Sequence, residues 1–176
     1  MKGTLRDSEG RALAGQPVRV YVTGGGLTSW RYWFTTTTDA TGVFSKVAGM
    51  SRTRTIKAVY LPPSATYARA DSRSVTVGVA TKVTVTSPAH GSRVAAGRAF
   101  VVRGRTYPAQ PGASAALYRR LSDGRLQWLR TARIASDGTF ALSKALPRGW
   151  YALQVATSAT TTNLRGTSSF FTIRVA

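Results

Sequence analysis

Apolar and polar residues alternate with a period of two along most of this chain. Val18, Val20 and Val22 interleave with Arg19 and Tyr21, and Val75, Val77 and Val79 interleave with Thr76 and Gly78. Val83 and Val85 resume the pattern a few residues later. A period of two sends successive side chains to opposite faces, so these stretches predict strands with one face on a core. In the first half the pattern predicts strands over residues 2–6, 17–23, 28–37, 43–47 and 53–61. Turn-forming clusters separate them: Asp7-Ser8-Glu9-Gly10, Gly24-Gly25-Gly26, Asp39-Ala40-Thr41-Gly42 and Pro62-Pro63. No segment sustains a helical period, and the chain reads as all-β.

Residues 72–88 organise the rest. They read as the last strand of one module running into the first strand of another, with only Ala80-Thr81-Lys82 between. The second half repeats the first at a spacing of about 96 residues. GQPVRVY from Gly15 is matched by GASAALY from Gly112, Trp33 by Trp128, and Gly42 and Phe44 by Gly138 and Phe140. SRSVTVGV from Ser72 is matched by SSFFTIRV from Ser168, which sets Val75, Val77 and Val79 against Phe171, Ile173 and Val175. Ordered anchors at a near-constant offset mark a tandem duplication, with modules expected over residues 1–80 and 81–176 and a very short linker. Module two carries an extra leading segment, residues 82–102, so module one is either a smaller variant or lacks an edge strand. An unpaired sheet edge is open to a strand of another protein.

The pattern resembles the immunoglobulin-like sandwich repeats of secreted and surface proteins of high-GC Gram-positive bacteria. The stretches that carry the resemblance are GTLRDSEGRALAGQPVRVYV from Gly3, Trp33, TDATGVFS from Thr38 and YARADSRSVTVGV from Tyr67. In module two they are VTVTSPAHGSRVAAGRAFVVRG from Val83, Trp128, SDGTFALS from Ser136, PRGWYALQV from Pro147 and TSSFFTIRV from Thr167. The resemblance implies two tandem immunoglobulin-like antiparallel β-sandwich modules. It also implies spacer, adhesive or binding roles in an exported or cell-surface protein, while sandwich folds host many unrelated tasks.

Charge narrows the partners. The chain holds 25 Lys plus Arg against 6 Asp plus Glu, a formal net charge of +19. One reading is a solvated, arginine-rich surface; the other is affinity for a polyanion, either an anionic cell-wall polymer or polysaccharide or a nucleic acid. No nucleic-acid-binding motif accompanies the charge. There is no cysteine, and no apolar run approaches the roughly 20 residues that span a bilayer, so no membrane insertion is expected. No apolar signal segment follows Lys2.

Enzymatic readings fail on inventory. His90 is the single histidine, in a Pro-Ala-His-Gly turn, and the acids Asp7, Glu9, Asp39, Asp71, Asp123 and Asp137 all fall in turns or loops. The glycine run at Gly24 lacks the Lys-Ser/Thr of a phosphate loop. No catalytic residue, no cofactor and no metal site is expected beyond a weak calcium contact at Asp39 or Asp137.

Two binding candidates remain. In Trp30-Arg31-Tyr32-Trp33-Phe34, alternation puts Trp33 and its partner Trp128 on the core and sends Trp30, Tyr32 and Phe34 to the other face. Exposed aromatic rows suit sugar rings or a protein interface. The outward positions of module two would be Gln127 and Leu129, which leaves the row to module one alone. The second candidate is a polyanion patch on module two built from Arg103, Arg105, Arg119, Arg120, Arg130 and Arg133 on paired strands. The reading these features support is a non-catalytic structural and adhesive tandem module. Its alternatives are a dedicated polyanion binder and a carbohydrate-binding accessory of a larger secreted enzyme.

Overall fold

Alternation becomes sheet on both sides of the duplication. A computed structural model, which describes residues 1–63 and 65–176, contains strands joined by turns and, among the described residues, no helix. The chain divides into two units, Met1–Val79 and Ala80–Ala176, and each is an all-β sandwich of two sheets.

In the first unit the strands are β1 (Lys2–Thr4), β2 (Pro17–Gly24), β3 (Leu27–Thr37), β4 (Val43–Ser45), β5 (Arg54–Tyr60), β6 (Ala70–Asp71) and β7 (Val75–Val77). The larger sheet runs β3-β2-β5-β6, with β7 also pairing β5, and the smaller is the ribbon β1-β4. Val18, Val20 and Val22 on β2 point inward and are buried. Leu5, Leu13, Val18, Phe44 and Tyr60 form one core cluster, while Val20, Val22 and Ile56 form a second with Leu27, Trp33, Phe34 and Met50 against it. Buried polar groups are matched: the Thr38 hydroxyl donates to the Leu13 carbonyl at 2.6 Å and accepts from the Gln16 amide at 2.8 Å. The glycine tip is tied rather than loose. Gly25 has φ +55 and a Cβ there would stand 2.6 Å from the Thr53 carbonyl, so only glycine fits. Arg52 and Arg54 donate to the carbonyls of Gly25 and Gly24.

In the second unit the strands are β8 (Lys82–Ser87), β9 (Ser92–Val94), β10 (Ala99–Tyr107), β11 (Ser114–Arg120), β12 (Leu126–Arg133), β13 (Thr139–Ala145), β14 (Gly149–Thr157) and β15 (Phe171–Val175). One sheet runs β13-β10-β8 and the other β12-β11-β14-β15-β9. All pairs are antiparallel except β15 with β9, which is parallel through Ile173↔Ser92 and Val175↔Val94. Here the core is one cluster, from Val83 and Val102 through Leu117, Leu142 and Leu153 to Ile173.

Register shows what the units share. Gly3 faces Phe44 across β1-β4, and Gly104 faces Phe140 across β10-β13. In both, the ring occupies the space that a Cβ on the glycine would take. An aromatic ring laid on a cross-strand glycine covers backbone that otherwise packs against nothing.

Register also shows what they do not share. Among the described residues the first unit has no counterpart of β8 or β9. Phe171 and Ile173 are 6 % and 0 % exposed, whereas Val75 and Val77, their partners in the repeat, are 62 % and 37 % exposed. The expectation that Val75 and Val77 lie on a core is corrected: the alternation is that of a core-facing strand, but among the described residues no strand covers them.

Substituting the two glycines tests this difference. At Gly104 an added methyl meets both the Phe140 ring and the Thr84 carbonyl of β8 at 2.5 Å; at Gly3 the three nearest atoms all belong to the Phe44 ring, which borders open space. Gly104→Ala is expected to destabilise its unit by about 1–3 kcal/mol, the usual cost of overpacking, and Gly3→Ala by less. Calorimetry of the full chain checks both, and equal losses would contradict the account.

Candidate functional site

A bulge at the same place in both units decides which aromatics face out. On β2-β3 the register shifts between Val20 and Tyr21, so Phe34 opposes Val20, Tyr32 opposes Tyr21, and Trp33 is the extra residue. On β11-β12 it shifts between Leu117 and Tyr118, so Arg130 opposes Leu117, Trp128 opposes Tyr118, and Leu129 is the extra residue. An extra residue moves every side chain beyond it to the other face.

Three expectations are corrected by this shift. Phe34 does not share the outward row; it packs with Trp33 against Val20, Val22 and Ile56. Trp128 is not a core partner of Trp33: it is 59 % exposed and occupies the place of Tyr32. The outward aromatics therefore do not belong to the first unit alone, because Tyr118-Trp128 in the second unit repeats the cross-strand pair Tyr21-Tyr32 of the first.

The outward face of the five-stranded sheet in the second unit brings aromatic rings and guanidinium groups together. By register and alternation Tyr118 and Arg120 on β11, Trp128 on β12, Trp150 and Gln154 on β14 and Arg174 on β15 share it. Arg174 lies over Trp150 at 5.6 Å from the ring centroid, Arg120 over Phe170 at 5.6 Å and Arg165 over Tyr118 at 6.0 Å. Trp150 is 69 % exposed. Cation–π contacts in such exposed places contribute about 0.5–1 kcal/mol each, enough to hold a guanidinium in position without neutralising it. No carboxylate pairs with Arg120, Arg165 or Arg174 among the described residues. The second unit has fourteen Lys and Arg and two acids, and those two, Asp123 and Asp137, are spent in turns.

The equivalent face of the first unit carries one carboxylate, Asp71, shared by two cations. Trp30 and Tyr32 are exposed, Tyr21 meets Tyr32 edge-on at 6.0 Å, and the Lys57 ammonium sits 4.8 Å from the Trp30 ring centroid. Lys57 is also paired with Asp71 at 3.1 Å. Hydrogen bonds from Arg69 first and Lys57 second pull the Asp71 carboxyl down to about 2.

The six arginines expected to form one patch do not. Arg103 and Arg105 lie on β10 in the three-stranded sheet, while Arg119, Arg120, Arg130 and Arg133 lie on β11 and β12 in the opposite one. Arg119 points to the inner side, where it donates to Gln127, and Arg130 and Arg133 are exposed on the edge strand β12. Of the six, Arg120 alone joins an aromatic. Arg165 and Arg174 complete the face and were not among the expected residues. Arg174 was findable, because it alternates with Ile173 and Val175 and so must face out; Arg165 lies in a loop that carries no periodic signal.

The remaining polar groups are occupied locally. Asp39 accepts from the amides of Thr41 and Val43 and from the Thr41 hydroxyl, and Asp137 accepts from the Thr139 amide and hydroxyl. These bonds lower both carboxyls below their ordinary value, led by the Thr41 hydroxyl for Asp39 and the Thr139 amide for Asp137. No group of three His, Cys, Asp or Glu side chains among the described residues is placed to hold a metal ion.

No family model and no curated protein matches this chain. Solved structures do. A tetra-tandem repeat from the extending region of a large adhesion protein is 14 % identical over 99 % of this chain, with a TM-score of 0.44, and the chain spans 48 % of its length. The fibronectin(III)-like modules of Clostridium thermocellum CbhA are 13 % identical over 99 % of this chain and 94 % of theirs, with a TM-score of 0.40. The chicken CNTN1 FN1-FN3 domains are 11 % identical over 99 % of this chain and 59 % of theirs, with a TM-score of 0.31.

The Asp71 network has a pH signature. A carboxyl held low stabilises the fold above its unfolded value, near 4, and that stabilisation fades as pH falls towards 2. NMR titration of the Asp71 carboxyl should give a midpoint near 2, and Arg69→Ala should raise it towards the ordinary 3.8. A midpoint unmoved by that substitution would remove Arg69 as the cause.

Proposed function

We propose that this chain is a non-catalytic structural and adhesive tandem module of an exported or cell-surface bacterial protein, and that the outward face of its second unit holds an anionic cell-wall polymer. The observation that carries the reading is the set of three guanidinium groups, Arg120, Arg165 and Arg174, each laid on an aromatic ring and none paired with a carboxylate among the described residues. A polymer with anionic groups between sugar or polyol units meets both needs there. Its anions displace counterions from the arginines, and its rings or carbon backbones lie on Trp128 and Trp150. The first unit's face supports the reading less, because Asp71 already occupies Lys57. A neutral glycan is the second reading, favoured by the exposed Trp128 and Trp150 alone.

Retention on purified cell-wall material with and without its anionic polymers, across a salt series, separates the two. The anionic reading expects retention at physiological salt that disappears when the anionic polymer is stripped. It also expects the combined variant Arg120→Gln, Arg165→Gln, Arg174→Gln to bind at least about tenfold more weakly, while the combined variant Arg103→Gln, Arg105→Gln stays within about twofold. Salt-independent retention on stripped material would replace it with the neutral-glycan reading. No retention at all would leave the charge as surface character.

A further inference from the structure

On the outward face of the second unit the cations are not evenly spread. Val94 packs on the core, so alternation turns Arg93 outward on β9, where it is exposed. The parallel register sets Arg93 beside Arg174 on β15, and Arg174 in turn opposes Trp150 on β14. Two arginines thus stand as cross-strand neighbours in one row, an arrangement that costs a sheet stability. No carboxylate pairs with either among the described residues. Arg120 is level with Ala152 and Thr172, one pleat repeat of about 6.7 Å from that row. Where the two levels meet, the small Ala152 leaves a pocket of about 320 Å³, lined by Trp150 from the first level and by Arg120 and Thr172 from the second.

Resting on the reading of this face as a polymer site, we propose that it takes two phosphate groups with one sugar or polyol unit between them. The first phosphate lies between Arg93 and Arg174, the sugar or polyol lies on the Trp150 ring, and the second phosphate lies at Arg120. The arginine pair is what selects phosphate. A carboxylate has two oxygens in one plane, and a single guanidinium fork occupies both. The oxygens of a phosphate point tetrahedrally, so it accepts from forks on two sides at once. An anion there also removes the repulsion between Arg93 and Arg174. Trp150, 69 % exposed, offers an open ring to the carbon face of the central unit. The Thr172 hydroxyl, level with Arg120 and in the same pocket, adds a donor for the second phosphate.

The probe is glucose 1,6-bisphosphate, whose phosphates flank one sugar ring, added to the full chain at physiological salt and followed by NMR of the Trp150 indole N–H. It is expected to shift that resonance to saturation. It is also expected to bind at least about tenfold more tightly than glucose 1-phosphate or glucose 6-phosphate, because its second phosphate binds as part of the same molecule. Glucarate, with a carboxylate at each end of a six-carbon chain, is expected to bind at least about tenfold more weakly than the bisphosphate. Arg93→Gln and Arg120→Gln each change an exposed side chain, and each should bring the bisphosphate to within about twofold of the monophosphates. A bisphosphate no tighter than the monophosphates, an Arg93→Gln chain that keeps the advantage, or glucarate equal to the bisphosphate would overturn the proposal. If wall polymer still needs Arg120, Arg165 and Arg174 in that case, the polymer reading stands and this inference alone falls. Equal retention on stripped wall material would remove the polymer reading and this inference with it.

Discussion

The apolar face of a sheet has to be covered by a second sheet of matching width, and most of what distinguishes the two halves of this chain follows from whether it is. In the second unit three strands close over five and the core is continuous from Val83 to Ile173. In the first a two-stranded ribbon closes over a comparable sheet, and the core breaks into two clusters. Phe44 on Gly3 pins the ribbon at one point, as Phe140 on Gly104 does in the second unit. Beyond that pin, Val75 and Val77 are left with water where Phe171 and Ile173 have side chains. Burying a valine contributes about 1.5–3 kcal/mol, and Val75 and Val77 forgo most of that stabilisation.

The second constraint is the bulge shared by β2-β3 and β11-β12. It re-aims one side chain per unit and sets an aromatic pair across the outward face of each, Tyr21 with Tyr32 and Tyr118 with Trp128. The faces then diverge by charge. Asp71 ties down Lys57 and Arg69 in the first, whereas the second keeps three guanidinium groups on rings with no carboxylate paired to them among the described residues. The same scaffold thus carries one face on which Asp71 holds Lys57 and Arg69 and one on which three guanidinium groups lie on rings.

Much of the fold was legible in the chain. The strands β2, β7 and β8 follow from valine alternation, the turns from their Asp and Gly positions, and the duplication from anchors such as Phe44 and Phe140. The faces were less legible, for a specific reason. A bulge leaves the alternating pattern of residue types intact while reversing the side to which they point, so Phe34 read as outward and Trp128 as inward. Likewise alternation marks Val75 and Val77 as core residues without saying whether a covering strand exists. The arginines failed as a group because neighbours in sequence were assigned to paired strands, when β10 belongs to one sheet and β11 and β12 to the other. Asp71 read as an ordinary loop acid because its partner Lys57 lies on β5, and the pairing of β5 with β6 that brings them together leaves no mark in the local sequence.

The central claim is that the outward face of the second unit, through rings paired with free arginines, is where an anionic polymer is held. The most direct measurement is an NMR titration of the full chain with purified anionic wall polymer at physiological salt, following the four tryptophan indole N–H resonances. The account predicts that Trp128 and Trp150 shift together and saturate, while half-buried Trp33 stays in place and Trp30, beside the neutralised Lys57, moves little. Shifts confined to Trp30, or no indole response while the polymer is demonstrably bound, would contradict it.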